Sequence, residues 1–270
     1  MLTRSENNGI AVHTDESLRA RRGIVVAFTE RHGGVSAAPY TSLNLAPHVG
    51  DEPAAVNENR RRLLSVLGVD TYSPALTTAE QVHGHVFVEV VGGLVGSGAC
   101  AGSEHPPICG ADALWTREVG VPLMLFFADC VPIVLVSESP RAIAVIHAGW
   151  RGALAGIAGK AALALRDALG GSAGLQAYIG PHIGECCYEV GPEIVSQFGN
   201  KFVTIPRASS HLDLGAVVAE DLDRAGVSRE RQWHPGICTV HNTDRYYSYR
   251  AEGRTGRHSA FAMLEPEPSY

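Results

Sequence analysis

Three residues of types that bind soft metal ions stand out: His83 in Gln81-Val82-His83-Gly84, Cys130 in Ala128-Asp129-Cys130, and His147 in His147-Ala148-Gly149-Trp150. Imidazole and thiolate suit a borderline-soft ion such as zinc, and three protein ligands with one open position is the layout of a catalytic rather than a structural site. Water at that position would ionise near neutral pH and attack an electrophilic carbon, giving hydrolytic chemistry without a serine nucleophile. The three lie too far apart for a metal-finger spacing, so two other readings stay open from the residues themselves. Cys130 is a small buried hydrophobe beside ordinary histidines, or it is a nucleophile whose proton a histidine accepts.

Several arginines could serve an anion. Arg151 sits between Gly149 and Gly152, where its planar fork either meets an anion or occupies the first turn of a helix. Arg31 in Arg31-His32-Gly33-Gly34 and Arg60 in Asn57-Glu58-Asn59-Arg60 are further candidates for phosphate or ribose. Ser248-Tyr249-Arg250 and Thr255-Gly256-Arg257 offer candidate site walls, the plain alternative being an edge strand and a turn. Cys186 and Cys187 are neighbours in sequence, which do not easily share one ion, so they are read as packing or turn residues. Gly92-Gly93-Leu94-Val95-Gly96 lacks the context and lysine of a phosphate-binding loop, and there is no His-x-Glu with Pro-Cys-x-x-Cys deaminase signature.

The elements that must position these residues follow from apolar patterning. Ile24 to Phe28 reads as a strand delivering the Arg31 loop, and a helix starts near Pro53, with Val56, Leu63, Leu64 and Leu67 as its apolar face and Gly68 as its stop. Val86 to Val91 reads as a strand and Gly92 to Gly110 as a mobile loop. Leu123 to Phe127, Ile133 to Val136 and Ala142 to Ile146 are three buried strands, so Cys130 and His147 sit at strand ends. Ala153 to Leu169 reads as a helix on that sheet. Residues 1 to 22 are polar and arginine-rich without period and are expected to form a mobile arm, with residues 23–270 as one catalytic domain.

Composition narrows the function class. With 45% apolar and 19% charged residues and a net charge of -6, the 270-residue chain is an ordinary globular protein that lacks the basic face of a nucleic-acid binder. No apolar run approaches the roughly 20 residues of a membrane span, and the N-terminus has no signal-peptide core. A cytoplasmic protein with free or metal-bound cysteines, acting on a small molecule, is expected.

An ordered series of motifs then resembles the laccase-domain family, also called the peptidoglycan editing factor or YfiH-like family of multicopper polyphenol oxidase-related proteins. It comprises Arg31-His32-Gly33-Gly34-Val35-Ser36, Pro39-Tyr40-Thr41-Ser42-Leu43-Asn44-Leu45, Gln81-Val82-His83, Ala128-Asp129-Cys130-Val131-Pro132, His147-Ala148-Gly149-Trp150-Arg151-Gly152, Ile179-Gly180-Pro181 with Cys187-Tyr188-Glu189-Val190-Gly191, and the two C-terminal arginine motifs. The resemblance implies one α+β domain, a layered α-β-β-α sandwich with mixed sheets. It further implies zinc on His83, Cys130 and His147, and substrate contacts from Arg31, Asn44, Arg60, Gln81, Arg151 and Arg250. Implied activities are phosphorolysis of adenosine, inosine and methylthioadenosine and deamination of adenosine, by a monomer or weak homodimer. Editing of peptidoglycan precursors by hydrolysis is the alternative. Copper-dependent phenol oxidation fits less well, because His83-Gly84-His85 is the only close His-x-His pair. Glu30 stands where the family leads one to expect a serine or threonine, in a loop expected near substrate.

Overall fold

The computed structural model describes residues 2–205 and 210–268. The chain opens with β1 (Thr3–Asn7), paired to β2 (Ile10–Thr14) across Asn8-Gly9, a two-residue turn that suits the twist of a hairpin. Asp15 accepts a hydrogen bond from Leu18 N and so caps α1 (Glu16–Arg22), which leads into β3 (Ile24–Thr29). The mobile arm expected over residues 1–22 is thus corrected for all but Met1, which lies outside the described residues. β1 is polar and exposed along its whole length and joins the sheet by backbone pairing, while every residue of β2 is buried.

α2 (Pro53–Val66) starts on its proline and buries Val56, Leu63 and Leu64. β4 (Phe87–Glu89) precedes the glycine-rich stretch, which contains no strand but is tied down. Asn57 exchanges two hydrogen bonds with Ala101, and the Arg60 guanidinium donates to Gly98 O and Ala99 O. β5 (Ala113–Thr116), β6 (Leu123–Phe127), β7 (Val131–Glu138) and β8 (Arg141–Ala148) follow. The single helix expected from Ala153 is two, α3 (Trp150–Ala155) and α4 (Ile157–Ala168), broken at Gly156, whose φ of 76° no helix accommodates. β9 (Leu175–Ile179), α5 (Pro192–Gly199), α6 (Leu214–Arg224), β10 (Gln232–Trp233), α7 (Tyr249–Glu252) and β11 (His258–Leu264) complete the order. α7 replaces the edge strand considered around Ser248-Tyr249-Arg250.

The strands form two sheets, β1-β2-β3-β11-β6 and β10-β9-β7-β8-β5-β4. The first is antiparallel throughout; the second is mixed, with β4 beside β5 and β10 beside β9 running parallel. Alternation along each strand explains the layering. Leu123, Leu125 and Phe127 of β6 meet Val134 and Val136 of β7 and Val145 of β8 in a core between the sheets. Met124 and Phe126 point the other way, onto Leu63 and Leu64 of α2. Ile133, Leu135 and Ile146 face α4 and α6 through Ile157, Ala161, Leu165, Val217 and Val218. The result is the expected α-β-β-α sandwich, and the continuous apolar runs of β6, β7 and β8 reflect sheets covered on both faces. Among the described residues no helix is long and apolar enough to cross a membrane.

Glu30 fastens the N-terminal hairpin to the body. Its carboxylate is 1% exposed and accepts from Arg4 Nε of β1 at 2.9 Å and from Arg245, with His13 Nε2 of β2 at 3.3 Å. Burial alone would raise its pKa, but hydrogen bonds from His13, Arg4 and Arg245 prevail and hold it far below the usual carboxylate range. Its stabilisation is therefore complete above the ordinary carboxyl pKa near 4.5 and drains away as pH falls toward the folded-state value. Glu30→Gln is expected to lower stability at pH 7 by about 1–3 kcal/mol in urea unfolding and to flatten its decline with acid. An unchanged acid profile would remove Glu30 from this role.

Candidate metal centre and its cavity

His83, Cys130 and His147 come together although they sit on three separate segments, their donor atoms all within 4.8 Å of one another. Cys130 immediately precedes β7, His147 lies near the end of β8 opposite Pro132, and His83 stands in the loop before β4. Gln81 and His83 both have left-handed backbones, with φ of 60° and 61°, and so does Asp129, at 88°. Strain of this kind persists only where surroundings enforce it. At His83 the enforcer is Asp112, fully buried, whose Oδ1 accepts from His83 N at 2.9 Å and contacts His147 Nδ1 at 2.8 Å, while Oδ2 accepts from Gly84 N at 2.7 Å. The Asp112 contact commits Nδ1 of His147 and leaves Nε2 as its ligand atom. Gly149 is required by contact. A Cβ there would lie 2.7 Å from His83 Cδ2 and 3.3 Å from Cys130 Sγ.

Electrostatics pair the Cys130 thiolate with a protonated His147, whose proton an incoming ion would displace. Burial opposes charge on Cys130, but His147 and His83 outweigh it and lower the thiol pKa to about 6. Burial likewise opposes charge on His147, yet Cys130 and Asp112 raise its pKa to about 9. Two imidazoles and a thiolate, oriented by a carboxylate behind them, fit a zinc-type ion with a position open to the cavity.

That cavity has a volume of about 480 Å³, within the range of small-molecule sites. Phe126, Trp150, Tyr188 and Tyr249 supply aromatic walls, and Arg250 and Arg257 supply positive charge. His48 also lines it. Burial, then the charges of Arg257 and His147, take its pKa down to about 4, so it is a neutral imidazole at physiological pH. An adjoining pocket shares His83, Asp129 and Cys130 and brings in Arg151, which lies over the Trp150 ring at 4.3 Å.

The sequence-expected substrate residues divide into two groups. Gln81, Arg151 and Arg250 line these pockets, although both ends of the Gln81 amide are engaged by the Phe126 backbone. Arg31, Arg60 and Asn44 do not. Arg31 donates to Thr41 O, Thr243 O and Glu252 and stacks on Tyr247; Arg60 is buried and donates to Leu45 O, Gly98 O and Ala99 O. Neither lines the cavity: Arg31 is held by loop carbonyls and Glu252, and Arg60 is buried among loop carbonyls with its Nη2 left without a partner. Asn44 acts one step back, its Oδ1 accepting from Arg257 N at 2.9 Å. Asp129 is similar. Its carboxylate accepts from Thr239 Oγ1 and Arg250 N, both at 2.7 Å, which sets the base of α7 against the metal loop. Glu30 is not among the cavity-lining residues. Sequence reading missed His48 and Asp112, for which no local pattern exists; Arg257 was visible only as part of a motif.

A layered sandwich with one His, Cys, His cavity at the junction of its sheets defines the class. The chain belongs to the family described as multi-copper polyphenol oxidoreductase laccase, which it matches over residues 25–265. Among solved structures it is similar to YlmD from Geobacillus stearothermophilus, with 34% identity, a TM-score of 0.85 and coverage of 97% of this chain and 98% of that one. It is also similar to the hypothetical protein YfiH of Bacillus licheniformis, with 28% identity, a TM-score of 0.86 and coverage of 96% and 98%. Relatives named purine nucleoside phosphorylase include one from Xylella fastidiosa strain 9a5c, 36% identical over 253 residues covering 90% of this chain and 93% of that one. Another is YfiH of Escherichia coli K12, 30% identical over 251 residues covering 90% and 95%.

Asp112→Asn removes an acceptor, since an amide can accept on one side only, and should lower metal affinity at His83, Cys130 and His147 by about 10- to 100-fold in a chelator competition. Gly149→Ala should do the same by displacing His83. Wild-type affinity in both variants would refute this account of the centre.

Proposed function

We propose that the chain is a zinc-dependent purine nucleoside phosphorylase acting on adenosine, inosine and methylthioadenosine, with adenosine deamination as a second activity of the same cavity. Zinc is assigned to His83, Cys130 and His147, and the cytoplasm to the protein. The observation that carries the reading is the meeting, in one cavity of about 480 Å³, of the soft donor trio, four aromatic walls and the guanidiniums of Arg250 and Arg257. The names of the relatives agree with it.

In phosphorolysis a phosphate oxygen bonds to the anomeric carbon of ribose while the glycosidic C–N bond breaks and the purine leaves with the electron pair. Arg250 and Arg257 bind the phosphate dianion and stabilise charge in the transition state. Arg257 is held for this by Asn44 at its backbone, and Arg250 by Asp129 at its own. Phe126, Tyr188 and Tyr249 offer stacking faces to the base and exclude water from the anomeric carbon. His48, being neutral, hydrogen-bonds ribose or base without adding a competing charge for phosphate. Zinc, when bound, supplies a Lewis acid that activates water for the attack on C6 in deamination. The same two histidines and thiolate occur in blue-copper sites, which add a weak axial methionine, glutamine or backbone oxygen; no methionine lines this cavity, and both ends of the Gln81 amide are held by the Phe126 backbone.

The deciding experiment incubates purified protein with inosine or adenosine, with and without phosphate, alongside metal analysis. Phosphate-dependent release of hypoxanthine from inosine by zinc-loaded protein is expected, with Cys130→Ala inactive and Arg257→Ala raising the phosphate KM about 10- to 100-fold. Base release that needs no phosphate, or release of an amino acid from a wall precursor in its place, would overturn the phosphorylase reading in favour of a hydrolase. Copper in the isolated protein with phenol oxidation would overturn the zinc assignment.

A further inference from the structure

A second group of soft donors lies outside the cavity. Cys186 and Cys187 stand in the 3-10 turn Glu185–Cys187 after β9, and Cys238 and His241 in the loop after β10. The four donor atoms are all within 4.8 Å of one another. Cys187 Sγ is 3.2 Å from His241 Nε2 and Cys186 Sγ is 3.7 Å from Nδ1 of the same ring. Metal–sulfur and metal–nitrogen bonds of about 2.3 and 2.0–2.1 Å at tetrahedral angles put donors about 3.4–3.8 Å apart; the imidazole would bind through one of its nitrogens, and donors already within 4.8 Å of one another need only a small shift to reach that spacing. Cys186 and Cys187 are turn residues, as read from the sequence, and the turn also brings both thiols beside Cys238 and His241. A tight 3-10 turn, unlike a helix or strand, lets two successive side chains reach one point.

Two further features mark the cluster as built. Gly184 N donates to Cys238 Sγ at 3.3 Å, a backbone hydrogen bond of the kind that supports a thiolate. A Cβ on Gly184 would come 3.1 Å from Cys186 Sγ and 3.3 Å from Cys238 Cβ, so only glycine lets the two loops approach this closely.

We propose that Cys186, Cys187, Cys238 and His241 form a second, closed, four-ligand metal site that takes a zinc-type ion and staples two walls of the cavity together. On binding, three thiols lose their protons to solvent, three S–metal bonds and one N–metal bond form, and nothing is oxidised. Four protein ligands leave no open position, so the site is structural rather than catalytic. Its place in the fold gives the staple its purpose. The turn bearing Cys186 and Cys187 lies between Ile183 and Tyr188, both cavity-lining, and Ile183 N donates to Asp129 O. The loop bearing Cys238 continues into Thr239, which donates to the Asp129 carboxylate. An ion joining the two segments fixes both partners of Asp129 and, through it, the backbone of Cys130 and Arg250.

The test is the metal content and thiol count of the full chain, and it does not depend on activity. Wild type loaded with zinc is expected to hold two ions per chain and Cys130→Ala one; Cys238→Ser should also hold one. Because Cys238→Ser could fail to fold, the second measurement uses Cys130→Ala loaded with cadmium. Thiolate-to-cadmium absorption should appear, and a thiol reagent should modify exposed Cys100 and Cys109 at once and the other three cysteines only after a chelator is added. One ion in wild type and none in Cys130→Ala would overturn the proposal. So would immediate reaction of all five thiols, or a thiol count that reveals a disulfide among Cys186, Cys187 and Cys238.

Discussion

The buried carboxylate of Asp112 is the constraint on which the rest of the centre depends. Removing a charge from water costs several kcal/mol unless it is fully partnered, and here three N–H groups, from His83, Gly84 and His147, provide that compensation. Burial pushes its pKa up, but the His147 contact and the two backbone donors more than reverse this, so the group stays ionised. Its backbone is equally committed, the N–H donating to Val86 O and the carbonyl accepting from His147 N. One residue thus sets the His147 tautomer, imposes the left-handed turn of His83 and ties β5 to β8.

The sheets decide where such a centre can exist. β6 belongs to the five-stranded sheet and β7 to the six-stranded one, so Ala128-Asp129-Cys130 is one of the connections at which the chain changes layers, and a short one. Stacked sheets diverge at such an edge, and the loops that cover the gap carry the arginines and aromatics. All four arginines donate to loop carbonyls, but only Arg250 and Arg257 line the cavity, with their backbones held by Asp129 and Asn44.

Much of this was legible in the sequence where the physics is local. Apolar runs covered on both faces marked β3, β6, β7 and β8, and Pro53 with Gly68 bracketed α2 to within two residues. The metal trio was visible as residue types, but their convergence was legible only through the ordered motifs of a family. Apart from the helix break at Gly156, what failed has one cause. Polar side chains reveal their chemistry and not their partners, so β1 looked like a tail, and Arg31 and Arg60 looked like candidates for an anion. Asp112 and His48 have meaning only once distant segments meet, and no window along the chain contains both sides of those contacts.

The strand order carries a consequence for how the molecule is made. β11 is the fourth strand of the five-stranded sheet, between β3 and β6, with antiparallel pairing to both. Synthesis delivers β3 and β6 long before β11, and until that strand inserts, each exposes a row of unpaired N–H and C=O groups on an apolar ribbon. Such edges invite pairing with other chains, and the long-range closure that satisfies them is slow. The nascent protein therefore passes through a stage in which one sheet of its sandwich is a template waiting for an inner strand, and yield in the cell should hinge on how long that stage is shielded.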